Sequence, residues 1–278
     1  MKEINAMNDV AENCNEFLSN YRLPSPKDIM NYFCHSPGKL IVIGARPAMG
    51  KTGLMLSLIN EHNDNAVLAY TLELSESKLI KRLENISKEK STHLPFFFSV
   101  PESSQWFGSK PSLFINYSKS IDLEKVRSIL VEQQNDVPVK VVFIDYFQLL
   151  KDTDTKCLNQ LKQFAEEFKV AMVVLSQVTK DINDNPVQKP KLHGFMVNDL
   201  ETSMVDEIYY LVRPNYHDIR EDEWGYSMKN QAIIHCLKGS FQGNRMLLKF
   251  NKKNSGFQQS DIFEIFMKTK KKYKKTHA

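Results

Sequence analysis

The chain has 278 residues, 42% of them hydrophobic, and a formal charge of +4, which suits one large α/β domain or two small ones with room for a real core. No apolar run approaches the roughly 20 residues needed to cross a bilayer, and the opening MKEINAMNDV has neither the basic patch nor the apolar stretch of a secretory signal. No membrane is therefore expected as a partner, and the expected location is cytoplasmic.

The first segment places Ile4, Met7, Ala11, Cys14, Leu18 and Tyr21 at alternating three- and four-residue steps, one apolar stripe of a helix that Pro24 and Pro26 stop. Such a stripe either packs on its own domain or docks on a neighbouring subunit or partner. Next come KLIVIG, AVLAYTLE, VKVVFIDY and VAMVVLSQ, nearly all apolar, as expected of parallel strands covered on both faces. Between the second and third lies STHLPFFFSVPESSQWFGSKPS, whose Pro, Ser and Gly read as a long loop or small insertion. Its Phe96, Phe97, Phe98, Trp106 and Phe107 either tuck under the loop or offer a partner surface.

LNQLKQFAEEFK sets Leu158, Leu161, Ala165 and Phe168 at helical spacing. EIYYLVRP, QAIIHCLKG and RMLLKF close the series, the last two joined by SFQG as an antiparallel hairpin. The expected fold class is α/β, with a mostly parallel central sheet flanked by helices and a C-terminal antiparallel hairpin. Expected boundaries are 1–26 for the N-terminal helix and linker, 27–262 for the main domain and 263–278 for a basic tail. That tail holds Lys268, Lys270, Lys271, Lys272, Lys274 and Lys275, without which the body is weakly acidic. It either grips phosphate backbones or is a solubilising end. Cys14, Cys34, Cys157 and Cys236 are scattered, with no spacing that suggests zinc or a disulfide framework.

The chemistry concentrates in GARPAMGKT, which matches GxxxxGK(S/T) at Gly44, Gly50, Lys51 and Thr52. A strand, a tight loop and a helix N-terminus aim backbone N–H groups and the positive end of a helix dipole at one point. Lys51 would reach the outer phosphates of a nucleotide, and Thr52 would ligate Mg²⁺. Asp145, ending VVFIDY, is placed at a strand end to join the magnesium shell. Glu73 in AYTLELS is either a surface carboxylate or the group that polarises an attacking water. Gln177 ends VAMVVLSQ and is either a loop residue or a sensor of the terminal phosphate.

These segments resemble the C-terminal ATPase region of DnaB-type replicative helicases. GARPAMGKT is similar to their ARPSMGKT, TLELS to SLEM(S/P), FIDYFQLL to IDYLQLM, and LKQFAEEFKVAMVVLSQV to LKALAKELNVPVVALSQL. The resemblance implies a RecA-like core, ATP with Mg²⁺ as cofactors, single-stranded DNA as a partner, and a homo-oligomer of the hexameric-ring type with ATP between subunits. It casts Gly44, Ala45, Arg46, Pro47, Ala48, Met49, Gly50, Lys51 and Thr52 as the cradle and Thr52 with Asp145 as metal ligands. Glu73 takes the role of catalytic base and Gln177 that of phosphate sensor.

The later chain departs from the family. KPKLHGFMVNDLETSMVDEI keeps Pro190, Asp206 and Ile208 of the DNA-gripping loop but has Met196 where its arginine falls. In LKGSFQGNR, Lys238 is kept from the pair that reaches a neighbour's ATP, Ser240 stands at the arginine position, and Arg245 is the candidate substitute. The family's N-terminal primase-binding domain has no counterpart, and the helix through Tyr21 stands in the place of the helix that members dock on an adjacent subunit. Two functions fit: a DNA helicase or translocase, or a nucleotide-binding switch that regulates a partner without unwinding DNA. A small-molecule kinase is disfavoured, because no arginine-rich lid is present.

Overall fold

The computed structural model describes residues 25–61, 66–71, 76–88, 96–99, 113–117, 122–136, 139–150, 155–178, 203–222 and 226–260. The N-terminal stripe through Tyr21, Glu73, Met196 and the lysine tail lie outside them.

The described chain opens on a helix that the sequence reading does not foresee, α1 (Pro26–Cys34). Pro26 begins this helix, at the first helical position, where its missing N–H costs nothing. The Ser25 hydroxyl accepts from the Asp28 N–H and the Asp28 carboxylate accepts from the Ser25 N–H, a closed capping box.

Strand β1 (Leu40–Ala45) follows, then α2 (Lys51–Asn60), β2 (Ala66–Thr71), α3 (Glu76–Lys88), β3 (Phe96–Ser99), β4 (Leu113–Tyr117) and α4 (Leu123–Asp136). Strand β5 (Val139–Asp145), α5 (Thr155–Phe168), β6 (Ala171–Gln177), β7 (Glu207–Val212), β8 (Gln231–Lys238), β9 (Arg245–Phe250) and β10 (Phe257–Gln259) complete the described fold. All ten strands form one sheet in the order β10-β9-β8-β7-β1-β6-β5-β2-β4-β3.

From β7 to β3 every pairing is parallel, and β8, β9 and β10 add an antiparallel edge. The expected architecture and the β8–β9 hairpin are thus present. Within 91–112, read as a long loop or small insertion, Phe96–Ser99 forms a strand paired in parallel with β4, and neither strand is foreseen. Three consecutive phenylalanines satisfy an edge strand as readily as a loop anchor, and the surrounding Pro and Ser obscure the run.

The central strands β1, β5 and β6 are buried on both faces. One face packs α1, α2 and α3 through residues such as Ile29, Leu54 and Leu79. The other packs α4 and α5 through Val126, Leu130, Leu158 and Leu161. This two-sided burial explains the unbroken apolar runs, and it sets the C-terminal ends of β1, β5 and β6 side by side at one rim of the sheet. No helix among the described residues is long and apolar enough to cross a membrane.

Candidate functional site: a phosphate cradle at the sheet rim

The chain leaves β1 at Ala45 and enters α2 at Lys51 through a loop with two left-handed residues, Ala48 at φ 62° and Gly50 at φ 97°. Gly50 is the N-cap and carries no side-chain cap, so the first N–H groups of α2 have no acceptor within the helix. A side chain at Gly50 would be strained by its φ and would press on Phe257, 3.1 Å from a Cβ. The bare turn with open N–H groups at a positive dipole end is built to receive an anion.

This loop borders a cleft of about 280 Å³ whose walls include Lys51, Thr52, Tyr146, Gln177, Arg82 and Arg213. Lys51 is buried, with its ammonium 3.4 Å from the Ala45 carbonyl oxygen and 5.8 Å from the Tyr146 ring centroid. The Thr52 hydroxyl donates to Asp145 Oδ2 at 2.6 Å, and Asp145 is fully buried. A hydroxyl and an ionisable carboxylate meeting at the mouth of an anion cradle is the oxygen donor set that suits a hard divalent cation such as Mg²⁺. Thr52 and Asp145 are therefore the residues that would hold it.

Gln177 is fixed by its backbone. Gln148, in a short 3₁₀ turn after β5, donates from Nε2 to the Gln177 carbonyl at 2.9 Å and to Ser176 Oγ at 3.0 Å, while its Oε1 accepts from the Gln177 N–H at 3.0 Å. In the sequence the glutamine of FIDYFQLL stands only as part of a resemblance, and its role as the clamp of a neighbouring strand end depends on a pairing no linear motif displays. Thr71, two residues before Glu73, is paired in register with Asp145.

The far wall comes from the C-terminal strands, and sequence reasoning missed it. Arg213 follows β7, donates to the Ala48 carbonyl at 3.3 Å and lies 3.6 Å from the Phe250 ring centroid. Burial lowers the pKa of this guanidinium from its ordinary value. Phe250 in turn packs on Phe257, ring centroids 5.1 Å apart. The signal available was the RP pair ending EIYYLVRP, but only the antiparallel return of β9 and β10 brings those aromatics to the cradle.

Two expected residues lie elsewhere. Lys238 and Arg245 flank the β8–β9 turn, at the end of the sheet opposite the cradle, since Lys238 pairs with Ile208 at the start of β7. Lys238 donates to the carbonyls of Ser203 at 3.2 Å and Val205 at 2.6 Å. Ser240, in the turn, lies 2.8 Å from the Tyr32 hydroxyl of α1. Tyr32 also donates to the buried Glu207, to which Lys39 Nζ donates at 2.7 Å and Tyr209 at 2.7 Å. Neither Lys238 nor Arg245 lines the cleft of its own chain.

A family model for the DnaB-like helicase C terminal domain matches residues 33–259. The chain is 23% identical over 256 residues to the replicative DNA helicase DnaB of Mycoplasma genitalium, covering 82% of this chain and 54% of that protein. It is 28% identical over 202 residues to a probable plasmid replicative DNA helicase of Chlamydia psittaci, covering 66% of this chain and 44% of that one. The chain thus spans about half the length of these relatives. Among solved structures, a DnaB-like replicative helicase studied with its interactions with primase matches with a TM-score of 0.64 at 23% identity, over 81% of this chain and 58% of that one. A second solved structure, an ATPase domain by itself, matches with a TM-score of 0.66 at 21% identity, over 92% of this chain and 98% of that one. These similarities show the RecA-like fold, and the matched span takes in the cradle, Asp145, Gln177 and the C-terminal wall: the chain belongs to the DnaB-like helicase C terminal domain family.

Proposed function

We propose that the chain is the motor of an ATP-dependent DNA helicase or translocase, binding ATP with Mg²⁺ in the cleft and acting on single-stranded DNA as a homo-oligomeric ring. The observation that carries this reading is the 2.6 Å contact between Thr52 and the buried Asp145 at the mouth of the cradle. Thr52 and Asp145 would hold Mg²⁺, which would supply positive charge to offset that of the phosphates. The N–H groups of Ala48 and of Gly50 to Thr52 hold the phosphate chain, and Lys51 neutralises its outer end. Glu73 takes the proton of the attacking water, and Gln177, held through Gln148, reports on the terminal phosphate. The family membership and the relatives' names support DNA as the partner.

The test is ATPase activity with and without single-stranded DNA, together with strand displacement and sizing in the presence of a non-hydrolysable ATP analogue. DNA-stimulated hydrolysis by an assembled species is expected. A lasting monomer with no response to DNA removes the motor reading.

A second reading, a nucleotide switch that regulates a partner without unwinding, draws on one observation: Lys238 is held by carbonyls of its own chain and Ser240 stands where an arginine is expected. Partner-dependent nucleotide affinity without strand displacement distinguishes it.

A further inference from the structure

Thr71, the last residue of β2, is fully buried, and among the described residues its hydroxyl has no hydrogen-bond partner. A threonine at a strand end needs no explanation, but a hydroxyl shut away from water without an acceptor or donor does. Buried hydroxyls in folded proteins are nearly always satisfied by protein, ordered water or a ligand, and leaving one unmet is destabilising.

The strand register shows what stands beside it. Thr71 pairs with Asp145 across β2 and β5, and side chains in register on parallel neighbours point to the same face. Val67 and Ala69, at two-residue steps before Thr71, and Val141 and Phe143, at the same steps before Asp145, pack on the face that carries α2. Thr71 therefore shares the face on which Thr52 meets Asp145, one strand spacing, about 4.8 Å, from the carboxylate's own strand. On its other side Asp145 pairs with Leu175, which offers no hydrogen bond. Asp145 Oδ2 already accepts from Thr52 at 2.6 Å. Thr71 is thus a second hydroxyl beside the carboxylate, and not the one that holds it.

Mg²⁺ demands six oxygen ligands and keeps several of them as water when the protein supplies one or two. Each such water is a donor that needs an acceptor nearby. We propose that Thr71 is a positioning residue for the cation: its hydroxyl oxygen accepts a hydrogen bond from a water of the Mg²⁺ shell on the β2 side of Asp145. The proposal rests on the reading of Thr52 and Asp145 as the cation site. One bond of this kind is worth roughly threefold to tenfold in affinity.

The test is calorimetric titration of the wild-type chain, Thr71→Val and Thr71→Ser with a non-hydrolysable ATP analogue, in Mg²⁺ and in EDTA, alongside thermal melts of the free proteins. Valine keeps the shape of threonine and lacks the hydroxyl, whereas serine keeps the hydroxyl and lacks the methyl. Thr71→Val is expected to melt at or above the wild-type temperature, to bind in EDTA as wild type does, and to lose about threefold to tenfold of the affinity that Mg²⁺ adds. Thr71→Ser is expected to retain the Mg²⁺ gain even where its melt is lower. The full Mg²⁺ gain in Thr71→Val overturns the proposal, and so does a loss of equal size in EDTA and in Mg²⁺. A melt of Thr71→Val below wild type overturns it too, since the hydroxyl would then have a partner within the free protein, as does a Thr71→Ser variant that loses the gain along with Thr71→Val. Wild type that binds the analogue equally with and without Mg²⁺ defeats the cation-site reading and this proposal with it, and wild type that binds no analogue defeats the nucleotide site as a whole.

Discussion

The carbonyl oxygen of Ser255 lies over Gly53 so closely that a Cβ on Gly53 would sit 2.0 Å from it. The first turn of α2 and the loop before β10 therefore touch backbone to backbone, and the hydrogen bond from the Phe257 N–H to Ser57 Oγ, 2.8 Å, fastens the same junction one turn later. Gly53→Ala must push that loop, and with it Phe257, away from the cradle. A loss of about 1–3 kcal/mol is expected in chemical denaturation, with weaker nucleotide binding. An alanine variant as stable as wild type would mean the two segments are not in contact.

Thr52 and Asp145 answer to a different experiment. Asp145→Asn keeps the shape of the site but removes the negative charge, and Thr52→Ala removes the hydroxyl. Each is expected to raise the Mg²⁺ concentration needed for hydrolysis and to cut turnover by about a hundredfold or more. Lys51→Ala should abolish hydrolysis, and Glu73→Gln should allow binding while stopping turnover. Normal hydrolysis in Lys51→Ala or Glu73→Gln removes the proposed site.

The family resemblance puts Ser240 in the place of an arginine that in ring ATPases stabilises charge on a neighbour's nucleotide, a contribution of about 10³ or more in rate. Slow turnover is expected of wild type. Ser240→Arg is expected to raise the rate only at protein concentrations where the chain assembles. A rate independent of assembly would show that the β8–β9 turn does not meet a neighbour's nucleotide.

His217, four residues beyond Arg213, gives a test by pH. Burial, and then the positive charge of Arg46, lower its pKa from the ordinary 6.5, with Asp218 pulling weakly the other way. A histidine held below its unfolded value contributes stability that is complete above about pH 6.5 and is lost as pH falls through the folded value. His217→Gln should flatten the pH dependence of the melting temperature between about pH 6.5 and 5 relative to wild type. Superimposable curves would contradict the assignment.

The described thiols give a test by chemistry. Cys34, Cys157 and Cys236 are buried and form no disulfide, and burial pushes the Cys34 and Cys236 thiols up to about 11. At about pH 8 neither of these two should be alkylated in the folded protein, and both should react once it is unfolded in guanidinium, as read by mass spectrometry.

Much of this is legible in the sequence, for a physical reason. Parallel strands buried on both faces write themselves as apolar runs, and Gly44, Gly50, Lys51 and Thr52 stand close together where β1 passes into α2, so spacing alone captures β1, β5, β6 and the cradle. What escapes depends on distant parts meeting. Gln148 acts on a strand end 29 residues away, Arg213 reaches the cleft because β7 runs parallel beside β1, and Phe250 and Ser255 because three antiparallel strands fold back past β7. The helix α1 is legible in principle, since Ser25, Pro26 and Asp28 spell a capped start, but two prolines so close together read equally as a stop.

The lashing of Tyr32 to Ser240 and Glu207, with the Phe241 ring edge-on to Tyr32 at 5.0 Å, joins α1 to a turn at the end of the sheet opposite the cradle. A tug on the chain ahead of Ser25 would thus bear on that turn as well as on α2, against which α1 packs. Whatever holds the front of the chain thus has a mechanical handle on both ends of the sheet.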